Sequence, residues 1–158
     1  MNDLHSDLPT DLRIEDVRGD AQIEDWRHVH NLIIPADPLS LDDVRERVGR
    51  NHLQVAYTGD TLVGCSTVRP PADDTATATV IARVLPEHRG RGLGELLYRK
   101  GLERAYELGA AAVETVILAS NVAGVRFAEK HGFVETERYA LPDDPALWFT
   151  MRLKEARS

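Results

Sequence analysis

The sequence predicts one α/β domain of the α+β kind, in which about four helices flank a mixed, mostly antiparallel central sheet of six to seven strands. The 158-residue length suits a single domain. Hydrophobic residues make up 42% of the chain and charged residues 28%, as in ordinary globular proteins. Some segments place hydrophobic residues at every second position, as strands do. Between them lie segments whose hydrophobic residues recur at the spacing of a helix. We place the domain at residues 12–153, between a flexible N-terminus at 1–11 and a C-terminal tail at 154–158.

The first fifty residues predict one strand and two helices. Residues 12–17 form a short strand candidate, and residues 21–33 repeat apolar side chains at helical spacing. Prolines at 35 and 38 interrupt this helix. Ser40 is a suitable N-cap for a second helix, which should stop at Gly49.

A three-stranded antiparallel meander follows. Residues 53–57 alternate apolar and polar side chains, and the pair Gly59-Asp60 supplies a hairpin turn into a partner strand at 62–68. The proline-rich stretch 70–74 predicts the next turn. Residues 75–85 are rich in Thr, Val and Ile, which is typical of a central strand.

The remaining elements alternate between helix and strand. We predict a helix at 92–108, a buried strand at 113–120 and a helix at 122–130. The last two strands lie at 133–140 and 147–153. This order of elements indicates a mixed α/β domain whose middle meander is antiparallel.

Composition excludes several classes of protein. Acidic residues outnumber basic ones by 26 to 19, unlike a sequence-independent nucleic-acid binder, so we expect no nucleic-acid partner. A single cysteine, Cys65, excludes an internal disulfide or a cysteine-based zinc site, and the six histidines lack metal-ligand spacing, so we expect no metal. The chain shows no secretory signal and no apolar run of about 20 residues. We therefore expect a cytoplasmic protein with no membrane partner.

The strongest chemical motif is the run Arg89-Gly90-Arg91-Gly92-Leu93-Gly94 between a strand and a helix. Glycines allow a sharp turn and close approach of a ligand, and a helix N-terminus offers free N–H groups that bind phosphate. The run lacks the Gly-Lys-Ser/Thr ending of nucleotide-triphosphate loops and the spacing of dinucleotide loops. It predicts a phosphate or pyrophosphate site; the alternative is a turn that serves only to redirect the chain.

Residues 84–94 resemble the acetyl-CoA-binding segment of the GNAT N-acetyltransferase superfamily. The family pattern Arg/Gln-x-x-Gly-x-Gly/Ala is matched by Arg89, Gly92 and Gly94. A second block is also similar to the family, with Asn121 followed by Phe127 and then by Gly132-Phe133. The order of the predicted elements over most of the chain fits the same fold.

The resemblance implies a GNAT-like fold, acetyl-CoA as co-substrate and an amine acceptor as partner. It also suggests a homodimer. In this family pantetheine lies along the end of the central strand, pyrophosphate binds the glycine-rich loop, and the asparagine contacts the pantetheine arm. The implied cofactor-binding residues are Ala82, Arg83, Val84, Arg89, Gly90, Arg91, Gly92, Leu93, Gly94, Glu95 and Asn121.

The two positions that usually carry the catalytic side chains of this family hold alanine in this chain. Many family members have a tyrosine general acid where this chain has Ala128, and a glutamate base where it has Ala78. Candidate substitutes are Tyr139, as an acid, and His28 or His30, as a base near neutral pH. Each of the three also fits a purely structural role as a packing or surface residue.

Candidate residues for the acceptor pocket come from the aromatic and acidic side chains. Trp26 and Asp37 are the substrate-binding candidates, because acidic side chains would attract a cationic amine; Asp73, Asp74 and Trp148 could contribute in the same way. Each of these residues has a structural alternative as a core aromatic or a solvated loop acid.

Two functions from different classes follow. The first is an N-acetyltransferase that moves an acetyl group from acetyl-CoA to a primary amine of a small molecule or peptide by direct attack. The alternative is a catalytically degenerate acyl-CoA-binding sensor, because the binding loop is intact while alanine replaces the usual catalytic residues at positions 78 and 128. A longer acyl donor stays open in either case.

Overall fold

The computed structural model describes residues 11–35, 37–72, 74–142 and 145–153. The strands are β1 (Leu12–Asp16), β2 (His52–Thr58), β3 (Thr61–Ala72), β4 (Thr77–Val84), β5 (Ala112–Leu118), β6 (Phe133–Ala140) and β7 (Leu147–Leu153). The helices are α1 (Asp20–Ile33), α2 (Leu41–Val48), α3 (Leu93–Glu107) and α4 (Val122–Lys130). These elements confirm the predicted fold class. The proposed terminal segments, 1–11 apart from Asp11 and 154–158, lie outside the described residues.

The strands form one sheet in the order β1-β2-β3-β4-β5-β7-β6. β4 and β5 are parallel, and every other neighbouring pair in this sheet is antiparallel. A parallel pair needs a crossover connection, and α3 supplies it. The prediction of a mixed, mostly antiparallel sheet is therefore confirmed.

Helices cover both faces of the sheet. On one face, here called the α1 face, α1 and α2 pack on β2 and β3 through a cluster that includes Trp26, Val55 and Cys65. On the opposite α3 face, α3 packs on β3 and β4 through Leu97, and α4 lies in a cluster with Phe133. Alternate residues of each strand point to opposite faces, so both faces of the central strands are buried and apolar.

The predicted turn at 70–74 is misplaced. β3 continues through both prolines to Ala72, and the turn follows at 74–76, where Ala76 has a φ of 52°. A proline φ near −65° is compatible with extended backbone, and the register between β3 and β4 becomes irregular where proline lacks an N–H. β4 consequently begins at Thr77, two residues later than expected.

β4 and β5 stay together for only three residue pairs, from Thr77 opposite Ala112 to Thr79 opposite Glu114. Beyond them β4 remains paired with β3 up to Val84, and β5 remains paired with β7 up to its last residue. The two strands therefore part at the centre of the sheet, and their facing edges have no strand between them. This gap positions the candidate site.

Close packing of β3 against β4 depends on Gly64. A Cβ at this buried position would lie 2.6 Å from the main-chain oxygen of Arg83. Gly64→Ala should therefore displace β4 and lower the free energy of unfolding by about 1–3 kcal/mol, as measured by urea denaturation. The control is Gly49→Ala, where the nearest atom would be 3.4 Å away and φ is −71°. A Gly64→Ala protein as stable as the control would contradict this packing.

Candidate active site

A cavity of about 430 Å³ fills the gap between β4 and β5. Its walls come from both faces of the sheet, so it reaches through the sheet. The α1 face contributes Ile33, Ile34, Arg83 and Leu118, and the α3 face contributes Tyr98, Phe127, Ala128 and His131. An elongated ligand could therefore enter from the side of α3 and present its end to the side of α1.

The glycine-rich loop forms one end of the cavity. After β4 the chain makes a short 3-10 turn, Pro86–His88, and then a bend in which Gly90 and Gly92 have φ values of 84° and 85°. Such positive φ values strain any residue with a Cβ. Gly92 is also the N-cap of α3, so the free N–H groups of the first helical turn open toward this end of the cavity.

Most of the cofactor-binding candidates line the cavity. Those that do are Ala82, Arg83, Val84, Arg89, Gly90, Gly92, Gly94, Glu95 and Asn121. Arg91 is exposed outside the lining, and the Leu93 side chain is buried in the core beneath α3. Leu93 therefore anchors the helix start and could offer a ligand only its main chain.

Arg89 is held against the end of β4. Its Nε donates a hydrogen bond to the main-chain oxygen of Val84 at 2.9 Å, although the side chain is largely exposed. At the second residue of α3, a Cβ on Gly94 would lie 3.6 Å from Val84 and 3.8 Å from Phe127. These contacts bring the start of α3 close to both β4 and α4.

Asn121 joins the end of β5 to α4. It is the N-cap of α4, and its Oδ1 accepts a hydrogen bond from the main-chain N–H of Gly124 at 3.0 Å. A Cβ at Gly124 would lie 2.6 Å from the Asn121 amide nitrogen, so glycine here gives room for this cap. Asn121 also lines the cavity, which makes the capping role compatible with ligand contact.

The structure separates the three catalytic candidates. His28 is exposed on α1, outside the cavity lining. His30 is buried, its ring stacks on Trp26 with 5.4 Å between ring centroids, and burial lowers its pKa to about 4. Tyr139 stacks on Trp148 on the α1 face, at 6.5 Å between centroids, and lies beside the cavity without lining it.

The two acceptor-site candidates also differ. Trp26 is fully buried, and its Nε1 donates to the main-chain oxygen of Ser66 at 3.1 Å, so it is a core residue. The prediction that it contacts substrate does not match this position. Asp37 follows α1, is partly exposed, and its charge acts on His30 and Arg83. Asp74 is exposed in a turn, and Asp73 lies outside the described residues.

Comparison with known families identifies the chain. The model described as "Acetyltransferase (GNAT) family" matches residues 15–133, about three quarters of the sequence. The chain belongs to the GNAT acetyltransferase family. The matched region includes the glycine-rich loop, both walls of the gap and the asparagine cap.

One curated relative matches part of the chain by sequence, and solved structures share the fold at low identity. A mycothiol acetyltransferase from Corynebacterium efficiens is 34% identical over 85 residues, 54% of this chain and 28% of that protein, so the match covers under a third of the relative. The structure of yncA from Salmonella typhimurium with its cofactor acetyl-CoA has a TM-score of 0.74 at 16% identity, covering 94% of this chain and 97% of that one. The structure of Arabidopsis thaliana Naa50 in complex with the bisubstrate analogue CoA-Ac-MVNAL has a TM-score of 0.75 at 18% identity. The match covers 92% of this chain and 100% of that one.

Two residues that line the cavity of this GNAT protein, Tyr98 and His131, carry buried polar groups that the sequence analysis did not propose for the site. Tyr98 Oη and His131 Nε2 are buried and have no hydrogen-bond partner among the described residues. Their rings are 6.1 Å apart, and Tyr98 belongs to the same buried cluster as Ala128. Helical spacing could have revealed Tyr98, because it lies four residues after Gly94 and thus on the same face of α3.

Other classes of site are not found in the described part of the chain. No helix there is both long and apolar enough to cross a membrane. No three His, Cys, Asp or Glu side chains come together there as metal ligands. Burial raises the pKa of the Cys65 thiol to about 12, so Cys65 stays protonated and packs as a small apolar residue.

Buried His30 should make stability depend on pH. Its pKa in the folded protein, about 4, lies below the ordinary value of 6.5, so the unfolded chain binds a proton first as pH falls. The associated stability is present above pH 6.5 and is lost progressively between pH 6.5 and 4, by about 3 kcal/mol.

Urea denaturation at several pH values measures this loss. The His30→Phe variant, which keeps an aromatic ring beside Trp26, should lose less stability than the parent between pH 6.5 and 4. His28→Phe, on the exposed side of the same helix, should follow the parent. Identical pH profiles for His30→Phe and the parent would contradict the assignment.

Proposed function

We propose that this protein transfers an acetyl group from acetyl-CoA to a primary amine. The observation that carries the proposal is the gap between β4 and β5, which runs from the glycine-rich loop through the sheet to the α1 face. Family membership and the acetyl-CoA or CoA analogue named for related structures support it.

The residues present fit a CoA ligand. Main-chain N–H groups between Gly90 and Glu95 would bind the pyrophosphate, because they stand at a helix N-terminus with no side chain in the way at Gly92. The unpaired edge of β4 near Ala82 and Val84 would hold the pantetheine as an added strand does. Asn121 would contact its arm from the opposite wall. Acetyl-CoA would supply the thioester carbon that the amine attacks.

Proton transfer needs a donor for the departing thiolate. A free thiol has a pKa of about 8.5, so protonation of the thiolate assists its departure near neutral pH. We assign to Tyr98, a residue of the cavity wall, the hydrogen bond that stabilises this thiolate, because its hydroxyl is buried and has no described partner. Burial raises the pKa of Tyr98 far above its ordinary value, so the phenol stays protonated and acts as a hydrogen-bond donor to the thiolate.

The attacking amine must lose a proton, since a free alkylamine has a pKa of about 10. His28 is remote from the cavity, and the imidazole of His30 is a poor proton acceptor because its pKa is about 4. We therefore assign neither histidine as base. Solvent in the open α1 side of the cavity is the proposed proton acceptor, and positioning of the two reactants supplies much of the rate.

The glycine-rich loop can be tested with two matched substitutions. Gly92→Val and Gly109→Val both place a β-branched residue at positive φ, 85° and 96°, and should cost similar stability. Only Gly92 lies at the proposed pyrophosphate site, so Gly92→Val should weaken CoA binding at least 100-fold in calorimetry while Gly109→Val binds normally. Normal CoA binding by a folded Gly92→Val protein would refute the loop assignment.

The acid can be tested by removing single hydroxyl groups. Tyr98→Phe should lower kcat at least tenfold and leave the KM for acetyl-CoA nearly unchanged. Because the hydroxyl has no described partner, the fold should not suffer. Tyr106→Phe, an exposed position on the same helix, is the control. Tyr139→Phe decides between the two candidates: a larger fall in kcat there than in Tyr98→Phe would assign the role to Tyr139.

A catalytically degenerate acyl-CoA sensor is the second candidate. Ala128 lines the cavity where many relatives have their tyrosine, and Ala78 is fully buried in the core on β4. A thiol-release assay over small amines and peptides separates the two functions. Release with any acceptor supports the transferase, and CoA binding without release over the whole panel supports the sensor. Homodimer formation stays a prediction.

A further inference from the structure

The α1 face of the cavity carries cations without counter-ions. Most arginines of the described chain form ion pairs with a carboxylate: Arg13, Arg18, Arg27, Arg45, Arg50, Arg104, Arg138 and Arg152. The side chains of Arg47, Arg69 and Arg83 form neither an ion pair nor a hydrogen bond with any described residue, although all three are half-buried. Partial burial of an unpaired charge costs free energy unless a partner arrives.

Strand register places two of these arginines on the same face. Arg83 of β4 lies opposite Cys65, and Thr79 lies opposite Arg69 of β3. Cys65 belongs to the core cluster beneath α1, and side chains two residues apart share a face, so both arginines point to the α1 face. Arg83 also lines the cavity directly.

Neighbouring guanidinium groups act on both strand arginines. Burial is the main cause that lowers the pKa of Arg83 and of Arg69; the charges of Arg69 and Arg47 lower the pKa of Arg83 further, and those of Arg47 and Arg50 lower the pKa of Arg69. The negative charge of Asp37 raises the pKa of Arg83, although the two side chains do not form an ion pair. The charge of Arg47 also acts on Asp43 of its own helix, so the inference rests mainly on Arg83 and Arg69.

Two aromatic side chains add hydrogen-bond donors to this region. Trp148 is buried, and its Nε1 has no hydrogen-bond partner among the described residues. Tyr139 stacks on it, and burial raises the pKa of Tyr139, which keeps the phenol protonated. Both pack with Ile34 and Leu118, two residues of the cavity wall. Neither ring lines the cavity, so Arg83 is the donor of this group that reaches it directly, and the two rings lie behind its wall. A guanidinium without a counter-ion suits an oxyanion.

We propose that the acceptor is an amine that also carries an oxyanion, such as a carboxylate, which is bound by Arg83 in the cavity wall and by Arg69, farther along the same α1 face. This inference rests on the proposed acetyl transfer. The phosphates of CoA do not account for these arginines, because their proposed site is at the start of α3. Asp37, on the same side, is suited to attract the ammonium group of such an acceptor.

The test compares matched acids and amides. Calorimetry on the full chain saturated with CoA would measure the binding of glycine, β-alanine, γ-aminobutyrate and L-methionine, each against its amide. A charge-assisted hydrogen bond predicts that the acid of at least one pair binds about 10- to 100-fold more tightly than its amide. Arg83→Gln and Arg69→Gln should each reduce this preference below about threefold. Arg104→Gln, an exposed and ion-paired position, is the control and should retain it.

Each outcome decides the question. Amides that bind as tightly as acids in every pair, or the absence of binding by all eight compounds, would overturn the inference. A preference for the acid that survives in folded Arg83→Gln or Arg69→Gln would also overturn it. Thiol release with acetyl-CoA, measured on the same samples, tests the proposed function separately. A preference for the acids without thiol release would refute acetyl transfer and support the oxyanion site. Thiol release without a preference for the acids would support acetyl transfer and refute the oxyanion site.

Discussion

The parting of β4 and β5 is the constraint on which the rest of the site depends. Each strand is held on its outer side by an antiparallel partner, β3 or β7, so the two can diverge without loss of those ladders. Their facing main-chain groups then lack the partners that a continuous sheet would provide, and buried groups of this kind require water or a ligand. A gap at the centre of the sheet is therefore both a structural cost and a binding site.

The two sides of this gap offer different chemistry. The α3 side has a helix N-terminus, main-chain donors without side-chain obstruction, and the unpartnered hydroxyl of Tyr98, which suit a phosphate-bearing ligand with a leaving thiolate. The α1 side has arginines without counter-ions and an unpaired indole N–H, which suit the anionic part of a second molecule. Because the cavity reaches through the sheet, both ligands could meet at its centre.

The local sequence predicted much of this arrangement. Strands and helices follow from hydrophobic period, and the loop at Gly90 and Gly92 follows from the conformational freedom of glycine, so both could be placed without tertiary information. The turn at Pro70 was misplaced because proline suits an extended strand edge as well as a turn. Trp26, a candidate for the acceptor pocket, is fully buried in the structure, and an aromatic residue on an amphipathic helix gives no sign in the sequence of how deeply it is buried.

The sequence by itself determined the fold class, the order of the elements and the location of the glycine-rich loop, because each depends on interactions between residues close together in the chain. Only the tertiary structure decided which side chains face the cavity. Tyr98 and Asn121 line the same cavity, and Arg69 and Arg83 share a face through strand register, although nothing in their local sequence requires it. Side-chain chemistry at the site depends on burial and on distant partners, and both are set by packing of the whole sheet.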